Sequence, residues 1–139
     1  MRRPAEVFIL VRRGGEYLVL HRSPRQGSYW HCVAGALERG ESFAQAAVRE
    51  LREETGLVAD PVDVDREFAY SLAEEPDRIP DYPPGTTEIV VRSFLVEAPA
   101  DWEPELDWEL DDYRWCAAAE AAELLYWPEP ADVLREVAR

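Results

Sequence analysis

Residues 35–57 read GALERGESFAQAAVRELREETGL. Within this stretch Glu50, Glu53 and Glu54 stand at helical positions i, i+3 and i+4, which brings three carboxylates onto one face about 5–6 Å apart. Carboxylates that close repel one another unless a cation lies between them, and carboxylate oxygens suit hard divalent ions such as Mg²⁺ or Mn²⁺. The helix has a defined start, because Ser42 followed three residues later by Gln45 spells a capping box. Its end is defined by Gly56, where a left-handed residue is wanted. Ala44, Ala47, Val48 and Leu51 recur at helical spacing and predict the buried stripe, offset from the acidic face. Arg49 precedes the acidic group and can hold a carboxylate through two parallel hydrogen bonds. A helix reading Arg-Glu-Leu-Arg-Glu-Glu is also what a solvated, salt-bridged surface helix looks like. Such a helix gives no reason for Gly35, Glu41, Gly56 and Leu57 at these offsets.

Outward from the helix, Ala5 to Val11 and Tyr17 to His21 predict two strands joined by a turn at Arg13–Glu16. Trp30 to Leu37 predicts a short extended segment broken at Gly35. Asp65–Leu72, Glu88–Glu97 and Tyr113–Cys116 predict further strands. Glu74 to Gly85 holds four prolines and reads as a long loop, of the kind that is often functional in a compact domain. Ala117–Leu125 and Ala131–Ala138 predict two late helices. Strands, helix, strands, helix is the order of an α/β protein, here an α/β/α sandwich with a mixed β-sheet. With 139 residues the chain fits one domain, 1–139.

The formal net charge is −14, and all fifteen basic side chains other than histidine are arginines. Such a charge argues against general affinity for nucleic acid or anionic membranes. It does not argue against a phosphate substrate if metal ions are bound, since they can be the largest local charges in a site. Cys32 and Cys116 lack metal-ligand spacing and read as reduced, buried thiols. No apolar run is long enough to span a bilayer and no secretory signal is visible, so a cytoplasmic protein is expected. Exposed edge strands leave monomer and homodimer both open.

Gly35, Glu41, Arg49, Glu50, Leu51, Glu53, Glu54, Gly56 and Leu57 together resemble the Nudix box, filling all nine of its defining positions. The resemblance implies the Nudix fold and an enzyme: a Mg²⁺- or Mn²⁺-dependent pyrophosphohydrolase in which water attacks phosphorus. Outside the box, Arg2-Arg3-Pro4, Leu20-His21-Arg22, Tyr29-Trp30-His31, Tyr82-Pro83-Pro84-Gly85 and Glu109 ahead of Trp115 look loosely like the dihydroneopterin triphosphate pyrophosphatase branch, whose members also hydrolyse dATP. That likeness implies metal ligation by Glu50, Glu54 and Glu109. It leaves Glu53 as a second-metal ligand or the base, and it assigns Arg49 and Glu50 to the catalytic group. Arg2, Arg22 and Ala34 match substrate-contacting positions, and the substrate would be a nucleoside or pterin triphosphate. Ala34-Gly35-Ala36 departs from the Pro-Gly-Gly common in other branches. A dinucleoside polyphosphate or nucleotide sugar as substrate, or a silent binding module, are the alternatives. Trp30, Tyr82 and Trp127 are candidates for stacking on a base, and equally for packing. His21 and His31 read as structural.

Overall fold

The computed structural model describes residues 1–139. Strand β1 (Ala5–Arg13) and strand β2 (Glu16–Arg22) are joined by a tight turn, with only Arg12 opposite Tyr17 and Arg13 opposite Glu16 in register. Beyond that turn the two strands part. β1 continues against β4 (Val33–Ala36), Glu6 opposite Ala36 and Phe8 opposite Ala34. β2 turns instead to β3 (Trp30–His31) and β7 (Leu110–Ala117). On its other side β1 runs parallel to β6 (Glu88–Glu97), which pairs antiparallel with β5 (Val62–Ser71). The seven strands form one mixed sheet, and the divergence of β1 from β2 opens a cleft in it.

Helix α1 (Phe43–Thr55) covers one face, and α2 (Ala118–Leu124) with α3 (Pro128–Val137) covers the other. Each face has its own core. Val7, Ile9, Leu18, Ala47 and Leu51 pack under α1, while Phe8, Leu10, Val19, Ala121 and Leu134 pack under α2 and α3. Residues Val7 to Val11 are therefore buried without alternation, as expected of a central strand covered on both faces. This is the α/β/α sandwich with a mixed sheet that the element order predicts.

Several boundaries differ from expectation. The extended segment after Trp30 is interrupted at Cys32, not at Gly35, which lies inside β4. The proline-rich segment is not an irregular loop. It winds into 3₁₀ turns at Leu72–Glu74 and Pro76–Asp81. The last helix starts at Pro128, because a proline in the first turn gives up no needed N–H. The buried stripe of α1 is rotated from the predicted one. Ala44 is exposed, and the buried set is Ala46, Ala47, Leu51, Glu54 and Thr55. The acidic face is thus not wholly offset from the apolar stripe, and Glu54 belongs to the buried one.

Both ends of α1 match expectation. The Ser42 hydroxyl accepts from the Gln45 N–H at 3.1 Å and the Gln45 side chain accepts from the Ser42 N–H at 2.9 Å. Gly56 closes the helix at φ 83°. Ser42→Ala should lower the unfolding free energy by about 1 kcal/mol, measured by urea denaturation; no measurable loss would mean the cap does not anchor the helix.

Candidate active site

Gly35 sets the distance between α1 and the sheet. A side-chain carbon at this position would lie 2.1 Å from the Glu50 carboxyl carbon, so only glycine lets the Glu50 carboxylate lie against β4. One turn further on, the Glu54 carboxylate is 3% exposed. The Ala34 N–H of the same strand donates to its two oxygens at 3.5 and 3.4 Å.

Two arginines partition the acidic residues. Arg49 donates through Nε and Nη2 to both oxygens of Glu41, at 2.7 and 2.9 Å, and through Nη2 to the Ala36 carbonyl at 2.9 Å. This is the two-pronged geometry expected of Arg49, and it takes up Glu41. The remaining nitrogen, Nη1, reaches Glu50 at 2.8 Å and Glu53 at 3.2 Å. Arg3, from the start of the chain, ties down the turn before the helix through the carbonyls of Glu38 and Glu41.

Arg22 serves the other side. The register of β2 against β7 shifts between His21 and Arg22, and a bulge of this kind re-aims a side chain. Arg22 is nearly buried, 3.8 Å from Glu54 and 3.3 Å from Glu109. The backbone fixes Glu109 there, because Ser23 N–H donates to its carbonyl and its own N–H donates to Asp107. No three acidic, histidine or cysteine side chains are gathered closely enough in this structure to form a ready metal cage.

The sequence-predicted residues Arg2, Arg22, Ala34, Arg49, Glu50, Glu53, Glu54 and Glu109 all line one cleft of about 760 Å³. Trp127 lines it too. Tyr82 does not, being buried in the core with its hydroxyl on Arg78. Nor does Trp30, which packs beneath Arg114 and edge-on to His21. Sequence reasoning missed Phe8, Tyr29, Phe68 and Tyr70 as cleft residues. The alternation of β1 and β5 could have put Phe8 on one face of its strand and Phe68 and Tyr70 together on one face of theirs, whereas Tyr29 precedes β3 and carried no such signal. His31 also lines the cleft, and burial, then Arg22, pulls its pKa down to about 3. It is neutral at ordinary pH.

Burial pushes Glu50 up to about 7, against the lowering effect of Arg49 and with further upward pressure from Glu53 and Glu109. Burial also raises Glu54 well above the carboxylate range, more than Arg22 lowers it. Arg22 feels burial most, but Glu54 and its other neighbours more than offset that and keep it charged. The cleft therefore holds buried carboxylates with too little positive charge beside them.

A family model of the NUDIX domain matches residues 1–137. The chain belongs to the Nudix family. Its fold and box are those of that family. A Myxococcus xanthus octanoyltransferase is 37% identical over 139 residues, covering 99% of this Nudix chain and 36% of that protein. An NAD-capped RNA hydrolase of Schizosaccharomyces pombe is 30% identical over 137 residues, covering 94% of this chain and 33% of that one. The chain thus spans about a third of the length of these curated relatives. The Escherichia coli dihydroneopterin triphosphate pyrophosphohydrolase superposes with a TM-score of 0.84 at 23% identity, covering 99% and 96% of the two chains. A Caenorhabditis elegans Ap4A hydrolase superposes with a TM-score of 0.74 at 21% identity, covering 96% and 94%. At these identities the superpositions speak to the fold. No helix is long and apolar enough to cross a membrane.

Folding raises the Glu50 pKa from 4.5 to about 7. Between those values the folded chain holds more protons than the unfolded one, so stability falls as pH rises. Glu54 acts in the same direction. His31, whose pKa is lowered from 6.5 to about 3, acts in the opposite direction between those values, while Glu41 and Asp63, whose pKa values are lowered, act below the Glu50 window. The Glu50 share is read by difference: in urea unfolding in a chelating buffer, the stability of Glu50→Gln relative to the wild-type protein should rise from about pH 4.5 to about 7. A pH-independent difference between the two would contradict the assignment.

Proposed function

We propose that this Nudix domain is a Mg²⁺- or Mn²⁺-dependent pyrophosphohydrolase that cleaves a nucleoside or pterin triphosphate to the monophosphate and pyrophosphate. The observation that carries the reading is one cleft holding two kinds of group. Glu50 and Glu54 supply under-compensated carboxylates with Glu53 and Glu109 beside them, and Arg2, Arg22 and Arg49 supply cationic forks.

The donor set fits a hard divalent cation. All four candidates offer carboxylate oxygens, and the raised pKa values of Glu50 and Glu54 record charge that the two arginines do not offset. Glu50, Glu54 and Glu109 would hold the ion, with Glu53 a further ligand or the base. When bound, the ion neutralises pyrophosphate oxygens and lowers the pKa of water.

The chain's own residues do the remainder. Arg22 reaches into the cleft from β2, and Arg2 reaches it from the N-terminus; both offer donors to phosphate oxygens, where arginine forks bind well. Charge builds on those oxygens as the water oxygen bonds to phosphorus and the bridging P–O bond breaks. Fixed donors aimed at them supply the main catalytic effect. The proton of the attacking water passes to a carboxylate. Glu53 suits that step because it is 49% exposed, so it meets solvent while Arg49 orients it at 3.2 Å. Arg49 also keeps Glu50 in place against Gly35. Ala34 brings only a methyl group to the cleft wall, which leaves room beside the carboxylates for a substrate.

A different nucleoside diphosphate derivative is the second reading. The cleft of 760 Å³ is lined by Tyr29 and Trp127, and Tyr126 packs against both, the three rings lying within 4.8–6.2 Å of one another, a surface on which a second nucleoside could stack. We propose a cytoplasmic site of action and a small-molecule substrate; monomer and homodimer are both compatible with the site, which one chain completes.

The test is incubation with Mg²⁺ and a panel of triphosphates, dinucleoside polyphosphates and nucleotide sugars, with phosphate assayed after added inorganic pyrophosphatase. Triphosphates should yield monophosphate and pyrophosphate. Turnover of dinucleotides alone would favour the second reading, and no turnover of any of them would remove the enzyme reading. Glu54→Gln should lower kcat/KM by about a hundredfold or more, while metal-free thermal unfolding is unchanged or improved. Near wild-type turnover in that variant would refute the metal assignment.

A further inference from the structure

The cleft has a second acidic feature that the hydrolytic chemistry does not use. Glu6 lies on β1 opposite Ala36, on the same strand face as Phe8 two residues on. Its carboxylate is 16% exposed and lines the cleft together with Phe8, Phe68 and Tyr70. It is held in place from two directions. The Tyr70 hydroxyl donates to Oε1 at 2.9 Å, and Arg78 Nη2 approaches Oε2 at 3.4 Å. Arg78 is itself fixed by Tyr70, Glu75 and Tyr82, so the proline-rich 3₁₀ segment clamps Glu6 from above the sheet.

A negative charge is an unexpected wall for a polyphosphate. A carboxylate accepts hydrogen bonds and repels phosphate oxygens, so Glu6 suits the part of the substrate that carries N–H donors. An ionised carboxylate has about four acceptor positions; Tyr70 and Arg78 use two of them, one per oxygen. What remains is a pair of adjacent acceptors in a cleft that Phe68 and Tyr70 also line. The complementary ligand is a flat ring that presents two adjacent N–H donors. Guanine and pterin do so on their shared 2-amino-4-oxopyrimidine edge, with a ring N–H next to the exocyclic amine. Adenine and cytosine place a ring lone pair next to their amine, and that lone pair would face a carboxylate oxygen. Uracil offers one ring N–H flanked by two carbonyls.

We propose that Glu6 is the specificity-determining residue of this cleft and selects a triphosphate bearing a 2-amino-4-oxopyrimidine edge. The proposal rests on the triphosphate reading above and narrows it to one class of ring. Tyr70 and Arg78 are positioning residues that act through Glu6. A well-made bidentate contact to a base edge discriminates roughly tenfold to a hundredfold against the wrong ring. A site whose buried acceptors are left unpaired rejects an analogue more strongly still.

Affinity is the readout that separates this proposal from the chemistry. Calorimetry with the α,β-methylene analogues of GTP, ITP and ATP, which resist cleavage, should rank GTP above ITP above ATP on the wild-type protein. The GTP-to-ATP ratio should be roughly ten to a hundred. Glu6→Gln exchanges one acceptor for a donor, and the ratio should collapse to near one or reverse. Tyr70→Phe keeps the carboxylate but frees it, and should narrow the ratio by less. A carboxylate that served only to hold the 3₁₀ segment would weaken all three analogues together and leave their ratio alone. That outcome overturns the proposal, as does an equal affinity for GTP and ATP analogues on the wild-type protein, or binding of none. A clear GTP-analogue preference without hydrolysis of any triphosphate would leave Glu6 as the reader and remove only the enzyme reading. Relative kcat/KM for dGTP and dihydroneopterin triphosphate then distinguishes the two sources of the edge, and a preference for either over dATP supports the proposal.

Discussion

The constraint on which the site depends is the burial of one carboxylate. Glu54 sits inside the stripe by which α1 packs on the sheet, under the Ala34 N–H and 3.8 Å from Arg22. An ionised carboxylate in such a place costs several kcal/mol unless it is well paired. The pairing here is incomplete, since the backbone contacts are long and Arg22 divides its charge between Glu54 and Glu109. The same feature that weakens the free fold suits the divalent cation of the proposed function, which would supply the missing positive charge. Stability is given up at the position where binding is wanted, a common arrangement at functional sites.

The sheet makes this arrangement possible by splitting. β1 and β2 share only two register pairs before they diverge, one toward β4 and the other toward β3 and β7. The first branch carries Gly35 and Ala34, the platform for the helix carboxylates. The second carries Arg22 and, through the strand after it, Glu109. Arg22 and Glu109, eighty-seven positions apart in sequence, meet because β2 pairs with β7, Arg22 opposite Leu110; Arg22 and Glu54 meet because both branches border the same opening. Arg49 performs the separate task of holding the turn, the helix and β4 together through Glu41 and the Ala36 carbonyl. Through Nη1 it also holds Glu50, at 2.8 Å.

Much of this was legible in residues 35–57, because the signals there are local. A cap, a C-terminal glycine and carboxylates at i, i+3 and i+4 depend on helix geometry alone. The fold class followed from element order, and Arg22, Ala34 and Glu109 were reached by family likeness, not by spacing. What the sequence did not disclose is tertiary. The rotation of α1 that buries Glu54 and exposes Ala44 is set by how closely the helix approaches Gly35, which no helical periodicity reports. The 3₁₀ winding of the proline-rich segment is stabilised by Arg78 reaching Tyr70, Glu75 and Tyr82, contacts that depend on where β5 ends. The aromatic lining, Phe68 and Tyr70 among it, is ordinary core composition until the split in the sheet leaves it only partly covered.

The central claim is that Glu50 and Glu54 hold protons that a divalent cation displaces. Calorimetric titration with Mn²⁺ at pH 6.5, repeated in buffers of different ionisation enthalpy, measures this directly, since metal binding to protonated ligands releases protons. The account predicts a binding enthalpy that varies with the buffer, corresponding to net proton release, and a smaller release in Glu50→Gln. Binding with no proton release, or no binding of Mn²⁺, would contradict it.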